Sequence, residues 1–193
     1  VSNITIAAQK LLENGASNPY ALVMASDVPS IQPEILDWLT GQVEQAASDL
    51  VYTVVARQVM EKRFPDSHRS YIKLKDMAVC GGDINAIRLD KINYDNPMWR
   101  RLVDTRKNAL KQASLLGFDT LFLILIRALT LAQTESRVCR KLGIEGKLLL
   151  SPYAEIAMDV DKPAQFKLLN QELLQFARLS EISTPKVSVN SIS

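Results

Sequence analysis

Apolar positions in the first quarter of the chain alternate between helical and strand spacing. Residues 4–12 carry an apolar stripe at helical intervals, and the Asn-Gly pair that follows is a common helix end. Continuous apolar runs at 20–25 and 50–55 predict two strands, the first of them buried on both faces. Between them, Pro33 predicts the first turn of an amphipathic helix. The order helix, strand, helix, strand is typical of an α/β protein with parallel strands.

The next part of the chain breaks this rhythm. Residues 61–65 are polar and predict a loop. Alternating side chains over 69–75 predict a half-exposed strand, and residues 78–82 predict a second strand that ends at a glycine pair. Together these two strands predict a hairpin-like insertion.

The remainder of the chain predicts a helical segment at 96–145, followed by short strands and a last helix. Helices are expected at roughly 97–114, 118–128 and 131–142, short strands at 146–150 and 157–161, and a final helix from Pro163 to about Arg178. The fold class that follows is a three-layer α/β domain over residues 1–179, with a mostly parallel sheet flanked by helices. A Ser-, Thr- and Val-containing tail at 180–193 is expected to be flexible.

Composition narrows the classes of function. The 193 residues are 47% hydrophobic and 23% charged, as in ordinary globular domains. The net charge of +2 does not suggest a nucleic-acid-binding surface, which usually carries a strong basic excess. The two cysteines make no plausible zinc site with the single histidine, so a reducing, cytoplasmic location is the simplest expectation. No apolar run is suited to crossing a bilayer, and no membrane partner is expected.

Glycine spacing and the first residues suggest that an N-terminal part is missing. The chain opens at Val1 and enters a helical pattern at once. None of its seven glycines forms a G-x-G-x-x-G or G-x-x-x-x-G-K loop, which an α/β protein normally uses to surround phosphates. An N-terminal truncation would explain both observations.

Two acidic positions follow apolar runs and are candidates for metal binding. Asp27 comes directly after the first predicted strand, where open α/β sheets bind ligands. Asp159 and Asp161 end the strand predicted at 157–161 and would share one face of it. Mg²⁺ prefers one or two such carboxylates together with phosphate oxygens and water. The alternatives are that Asp27 caps a turn and that Asp161 caps the final helix.

Two further sets of residues could contact a substrate. Gly81 and Gly82 end a predicted strand, where a ligand could approach the backbone closely, or where a bulge or tight turn could form instead. Lys73 and Lys75 share a strand face and could meet a phosphate-bearing ligand, or could belong to a solvated face. Arg63 and Arg69 complete this basic set.

Three segments resemble one known family. Residues 21–29, Ala-Leu-Val-Met-Ala-Ser-Asp-Val-Pro, resemble the strand and D-x-P segment of nucleotidyltransferases with the glycosyltransferase-A-like fold, which include molybdenum cofactor guanylyltransferase-like proteins. Residues 157–163 are similar to the D-V-D-x-P-x-D segment of that family. Residues 69–76, followed by the glycine pair, are similar to an R-x-Y-x-x-L-K-x-G…G-G-N branch.

The resemblance implies a function for these positions. It implies nucleotidyl transfer from a nucleoside triphosphate to a small-molecule acceptor, with release of pyrophosphate. It also implies that Asp27 and Asp161 bind Mg²⁺ and are the catalytic residues, and that Gly81 and Gly82 lie beside the acceptor or the nucleotide. The chain departs from the family at Asp83, where relatives often have Asn, and it lacks the N-terminal glycine-rich loop.

Two other functions remain compatible with these motifs. A glycosyltransferase of similar fold would use a nucleotide-sugar donor, although such enzymes tend to carry D-x-D where this chain has Asp27-Val28-Pro29. A non-catalytic binding domain could have kept the fold and lost the phosphate loop.

Overall fold

A sheet of six strands forms the centre of the protein. The computed structural model describes residues 2–92, 117–161, 163, 165–170 and 174. The strands are β1 (Tyr20–Met24), β2 (Leu50–Ala56), β3 (Ile72–Lys73), β4 (Ala78–Gly81), β5 (Ile84–Arg88) and β6 (Gly146–Ser151). The helices are α1 (Ser2–Glu13), α2 (Pro33–Ala46), α3 (Arg57–Arg63), α4 (Phe118–Leu125) and α5 (Leu131–Leu142), with short 3₁₀ turns at Leu89–Lys91 and Ala154–Ala157.

The sheet is predominantly antiparallel, so the prediction of a mostly parallel sheet is wrong. Among the described strands, only β2 and β6 pair in parallel. β5 lies between β1 and β2 and is antiparallel to both, and the β2–β4 and β3–β4 pairs are antiparallel as well. The helical connections do give β1, β2 and β6 one common direction. However, β5, which the apolar pattern does not predict, separates β1 from β2.

A bulge joins β4 to β5. Both strands pair with the same edge of β2, because β6 occupies the other edge along its length. The register changes between the pairs Val51–Ala86 and Val54–Gly81, where two residues of β2 face four residues of the β4–β5 segment. The extra residues therefore form a bulge around Gly82 and Asp83.

Side chains of β2 and Asn85 hold this bulge in place. The N–H of Thr53 donates to Oδ1 of Asn85 over 2.9 Å, and its hydroxyl donates to the carbonyl of Ile84 over 2.6 Å. The N–H of Gly82 donates to the carbonyl of Thr53 over 2.8 Å. These bonds replace the regular ladder that the bulge interrupts, and they define where the glycine pair lies.

Helices cover both faces of the sheet. On one face, α2 packs Ile35, Leu39 and Val43 against inward side chains of β2 and β5, and α3 adds Met60 beside Val55. On the other face lie α1, which contributes Ala8, and the α4–α5 pair. Side chains of β5 alternate between the two faces of the sheet, so the strand packs against helices on both sides. Ile84 and Ala86 face α2, whereas Ile87 faces α1.

Several boundaries differ from the sequence predictions. Residues 61–63 belong to α3 rather than to a loop, and Ala157 ends a 3₁₀ turn, so residues 157–161 do not form a strand. β1 is not buried on both faces, because Leu22 and Met24 are exposed. The predicted β3–β4 hairpin is present, although β3 has only two residues. The expected helix at 97–114 and the tail at 180–193 lie outside the described residues.

Candidate active site

The segments that carry Asp27 and Asp161 lie side by side. Asp27 occupies a turn directly after β1, and its carbonyl oxygen accepts a hydrogen bond from the N–H of Val160 over 3.1 Å. Val160 lies between Asp159 and Asp161, in the segment that leaves the Ala154–Ala157 turn. The structure therefore places the backbone segments that carry Asp27 and Asp161 next to each other.

A buried glutamine supports the backbone at Asp161. Gln165 is only 1% exposed, and its side-chain oxygen accepts a hydrogen bond from the N–H of Asp161 over 3.1 Å. Its side-chain nitrogen donates to the carbonyl of Ser67 over 3.3 Å. One amide side chain thus ties the loop before β3 to the segment of Asp161, while the carboxylate of Asp161 stays exposed.

Arg69 is the cation at the centre of this acidic region. Its guanidinium is paired with the carboxylate of Asp159 and reaches Oδ2 of Asp83 at 3.4 Å. The same group donates to the carbonyl of Gly81 over 3.3 Å. Burial opposes the charge of Arg69, but Asp159 and Asp83 outweigh it and raise its pKa, so Arg69 stays positively charged.

Asp83 connects the bulge to both neighbouring segments. Its carbonyl accepts a hydrogen bond from the N–H of Ala25 over 2.9 Å, and its own N–H donates to the carbonyl of Ile156 over 2.8 Å. These two bonds place Asp83 between the end of β1 and the 3₁₀ turn that leads to Asp159.

The carboxylates of the region act on one another. Burial raises the pKa of Asp83 to about 6; the charge of Arg69 opposes this rise, and the charges of Asp159, Asp27 and Asp161 add to it. Asp159 raises the pKa of Asp161 through its charge and a hydrogen bond, and Asp27 adds to this effect. The negative charge of these groups exceeds the single positive charge of Arg69, an excess that favours a bound cation.

A cavity of about 300 Å³ opens beside these groups. It is lined by residues of β2, of the loop before β3, of the bulge and of the Asp161 segment: Tyr52, Arg69, Ser70, Cys80, Gly81, Gly82, Asp83, Asp161 and Gln165. Of the residues selected from the sequence, Arg69, Gly81, Gly82 and Asp161 line this cavity. Lys73 and Lys75 are exposed on and after β3 and are not among the lining residues.

The two glycines permit close packing inside the protein. A Cβ atom on Gly82 would lie 2.1 Å from Oγ1 of Thr53 and 2.7 Å from Cγ2 of Ile156. A Cβ atom on Gly81 would lie 2.6 Å from the hydroxyl oxygen of Tyr52. Position 82 therefore has no room for a side chain, whereas a side chain at position 81 would require the hydroxyl group of Tyr52 to move. The bulge that the sequence analysis left open as an alternative is present.

Sequence reasoning gave too little weight to Arg69, Asp83 and Asp159. Arg69 belonged to a set of basic residues with no stated partner, and Asp83 was noted only as a departure from a family pattern. The sequence alone gives no signal for this pair, because Arg and Asp are usually exposed on the surface. Their pairing across 14 residues of sequence appears only in the folded chain.

The carboxylates of Asp27 and Asp161 suit a hard cation that takes only a few ligands from the protein. Within the part of the chain that the structure describes, no group of three or more His, Cys, Asp or Glu side chains is arranged to hold a metal ion. Mg²⁺ is commonly bound by only one or two carboxylates, with water and phosphate oxygens completing its octahedron. Asp27 and Asp161 therefore fit Mg²⁺ better than they fit a metal that needs an all-protein cage.

Comparisons with known proteins gave one informative relative. No protein-family model and no curated protein matches the chain. A solved structure described as a hypothetical transferase from Thermus thermophilus is 30% identical, with a TM-score of 0.72. The match covers 83% of this chain and 66% of that one, so this chain spans slightly less than two thirds of the relative's length.

Within the described residues, no helix is long and apolar enough to cross a membrane. The described part of the chain, a predominantly antiparallel sheet with helices on both faces, is similar in fold to this hypothetical transferase. The chain therefore has a transferase-like fold, with an acidic cavity where the segments of Asp27 and Asp161 meet.

Proposed function

We propose that this chain is the metal-binding part of a nucleotidyltransferase, in which Asp27 and Asp161 hold Mg²⁺. The observation that carries the proposal is the contact between the two acidic segments, where the N–H of Val160 meets the carbonyl of Asp27. The family resemblance of these segments and the transferase-like fold support it. The reaction is transfer of a nucleoside monophosphate from a nucleoside triphosphate to a small-molecule acceptor.

The chemistry requires an in-line displacement at the α-phosphorus. A nucleophilic oxygen or nitrogen of the acceptor forms a bond to the α-phosphorus and loses its proton, while the bond to the bridging oxygen breaks and pyrophosphate leaves. Mg²⁺, when bound, neutralises negative charge on the phosphate oxygens. The contribution of the chain is to bring the segments of the two aspartates together near a cavity that can receive a reactant.

Each side chain around this position has a distinct task in the proposal. Asp27 and Asp161 supply the carboxylate oxygens. Arg69 keeps Asp159 and Asp83 paired, so that these groups hold the loops together rather than compete for the ion. Gln165 fixes the backbone of Asp161. The carboxylates repel one another without a cation, so a bound divalent ion relieves a cost that the fold itself creates.

The decisive experiment measures pyrophosphate release. The protein in its full natural length is incubated with each of the four ribonucleoside triphosphates, Mg²⁺ and a panel of acceptors. Asp27→Asn and Asp161→Asn are expected to lower Mg²⁺-dependent pyrophosphate release by a factor of at least ~10², the size seen when a group that stabilises transition-state charge is lost. Asp37→Asn, at an exposed position of α2, is the matched control.

Three outcomes separate the alternatives. Pyrophosphate release that depends on both aspartates supports the proposal. Hydrolysis of a nucleotide sugar without pyrophosphate release indicates a glycosyltransferase instead. Equal release by the wild type and by both aspartate variants contradicts the metal site.

A further inference from the structure

The cavity beside Asp161 has the size of a small-ligand subsite. Its volume of about 300 Å³ lies at the lower end of the range for ligand pockets. Asp161 belongs to its lining residues, whereas Asp27 does not. The groups that face it determine what it can bind.

The backbone donors of the bulge point away from this cavity. A Gly-Gly-Asp segment could form a nest of N–H groups around a phosphate. Here the N–H of Gly82 donates to the carbonyl of Thr53, and the N–H of Asp83 donates to the carbonyl of Ile156, each over 2.8 Å. These two amides are therefore already used within the fold and cannot hold an anion.

The positive charge that lines the cavity is also already engaged. Arg69 is the only Lys or Arg among the lining residues that the structure describes. Its guanidinium is shared between Asp159, Asp83 and the carbonyl of Gly81. A phosphate group at Arg69 would lie beside the carboxylates of Asp159 and Asp83, which already offset the charge of the guanidinium and would repel the phosphate.

The other polar groups of the lining are carboxylates and hydroxyl groups. The carboxylates of Asp83 and Asp161 and the hydroxyl groups of Tyr52 and Ser70 belong to the lining. The two carboxylates present oxygen atoms that accept hydrogen bonds. Hydroxyl and ammonium groups are the natural partners of such a surface, whereas a phosphate monoester is repelled by it.

We propose that this cavity is a subsite for a small, polyhydroxylated or amine-bearing molecule that carries no phosphate, with Asp83 as its specificity-determining residue. The inference rests on the proposed function only in so far as this molecule is the acceptor of nucleotidyl transfer. Binding itself needs neither nucleotide nor Mg²⁺, and it is tested without them.

The test compares one amino sugar with its phosphate ester. The ¹⁵N-labelled protein is titrated with glucosamine and with glucosamine 6-phosphate at pH 7, and the amide resonances of Gly81 and Gly82 are followed. We expect glucosamine to shift both resonances at a concentration at least tenfold lower than glucosamine 6-phosphate does. Asp83→Asn is expected to weaken glucosamine binding about tenfold. Asp90→Asn, on the exposed 3₁₀ turn after β5, is expected to leave it unchanged.

Each other outcome overturns the inference. The subsite is wrong if the phosphate ester binds as tightly as glucosamine, if neither compound shifts the glycine resonances, or if Asp83→Asn folds and binds glucosamine normally. If Asp83→Asn does not fold, Tyr52→Phe decides the question, since it removes one lining hydroxyl and keeps the ring. Unchanged binding by Tyr52→Phe then counts against the subsite, and weaker binding supports it. Because the titration measures binding and not turnover, the two proposals can be contradicted separately. Glucosamine can fail to bind while pyrophosphate is released, and it can bind when no pyrophosphate is released.

Discussion

The N–H of Val160 donates a hydrogen bond to the carbonyl oxygen of Asp27 over 3.1 Å, across 133 residues of sequence. This bond joins the turn after the first strand to the segment after the last one. It places the backbone of Asp27 beside the residue that precedes Asp161. The proposed Mg²⁺ site depends on this arrangement, because it requires the two acidic segments to lie together.

Gly82→Ala is expected to destabilise the protein by about 1–3 kcal/mol, the usual cost of overpacking a filled interior. The added Cβ would lie 2.1 Å from Oγ1 of Thr53, a side chain held by its own bonds in the bulge. Urea unfolding measures the change. Gly41→Ala is the control, since Gly41 lies in α2 with nothing within 4 Å of an added Cβ, and there alanine should stabilise the helix by ~0.5–1 kcal/mol. Equal effects of the two substitutions would contradict the packing described at the bulge.

Arg69→Ala is expected to lower the free energy of unfolding by about 3 kcal/mol, near the lower end for loss of one partner from a buried ion pair. The substitution leaves Asp159 and Asp83 without their shared cation, and the Arg69 side chain is only 15% exposed. Denaturant unfolding at pH 7 provides the measurement. Arg137→Ala removes an arginine from an exposed pair with Asp119 and should cost less than ~1 kcal/mol. A loss no greater than that of the control would show that Arg69 does not stabilise the site.

The raised pKa of Asp83 predicts an unusual dependence of stability on pH. The folded carboxyl titrates at about 6 against a reference value of 3.8, so between these values the folded state binds more protons than the unfolded state. The contribution of Asp83 to stability is therefore fully present below about pH 4 and is lost as the pH rises through 6. The full difference in pKa corresponds to about 3 kcal/mol, and partial exposure of the side chain should reduce it to ~1–2 kcal/mol.

Asp83→Asn removes the titrating carboxyl group of residue 83. The difference in stability between the variant and the wild type therefore reports Asp83 alone and not the other carboxyl groups. We expect the stability of the variant, relative to that of the wild type, to improve by ~1–2 kcal/mol between pH 4.5 and pH 7.5. Thermal or urea unfolding at several pH values gives the difference. A constant difference across this range would mean that burial and the neighbouring aspartates do not raise the pKa of Asp83.

Gln165→Leu is expected to destabilise the protein by about 1–3 kcal/mol, because it leaves the N–H of Asp161 and the carbonyl of Ser67 without their side-chain partner. Gln45→Leu, at an exposed position of α2, should change stability by less than ~0.5 kcal/mol. The same variants should be compared for Mg²⁺ affinity by calorimetry. If Gln165 positions Asp161, only its substitution weakens Mg²⁺ binding; retained affinity with lowered stability would limit Gln165 to a structural role.

The apolar pattern determined most of the helices and strands, and the reason is local. α2 begins at Pro33, where the ring suits the first turn, and α5 ends before Gly143, whose φ of 66° is favourable for glycine. β2 was predicted from its apolar run, within one residue of its observed end. In each case the residues that specify the element lie inside it or next to it.

The site was predictable in part for a similar reason. Asp27 and Asp161 follow hydrophobic segments in sequence, so their positions at the ends of these segments could be inferred from the chain alone. That their two segments lie next to each other was an expectation from the sequence, and the hydrogen bond between Val160 and Asp27 is seen only in the folded chain. The partners of Arg69 could not be inferred from the sequence. Asp83 and Asp159 lie 14 and 90 residues away from it, and every other aspartate or glutamate of the chain could form the same kind of ion pair.

The sequence by itself determined most of the helices and strands, the direction shared by β1, β2 and β6, and the positions of Asp27 and Asp161 after apolar segments. Only the tertiary structure decided which strands are neighbours, that β5 separates β1 from β2, and that a bulge brings Asp83 to Arg69. The physical reason is that helix and turn preferences act between residues near one another in the chain. Strand pairing and ion pairing are chosen among many distant partners, and only packing of the whole chain selects one of them.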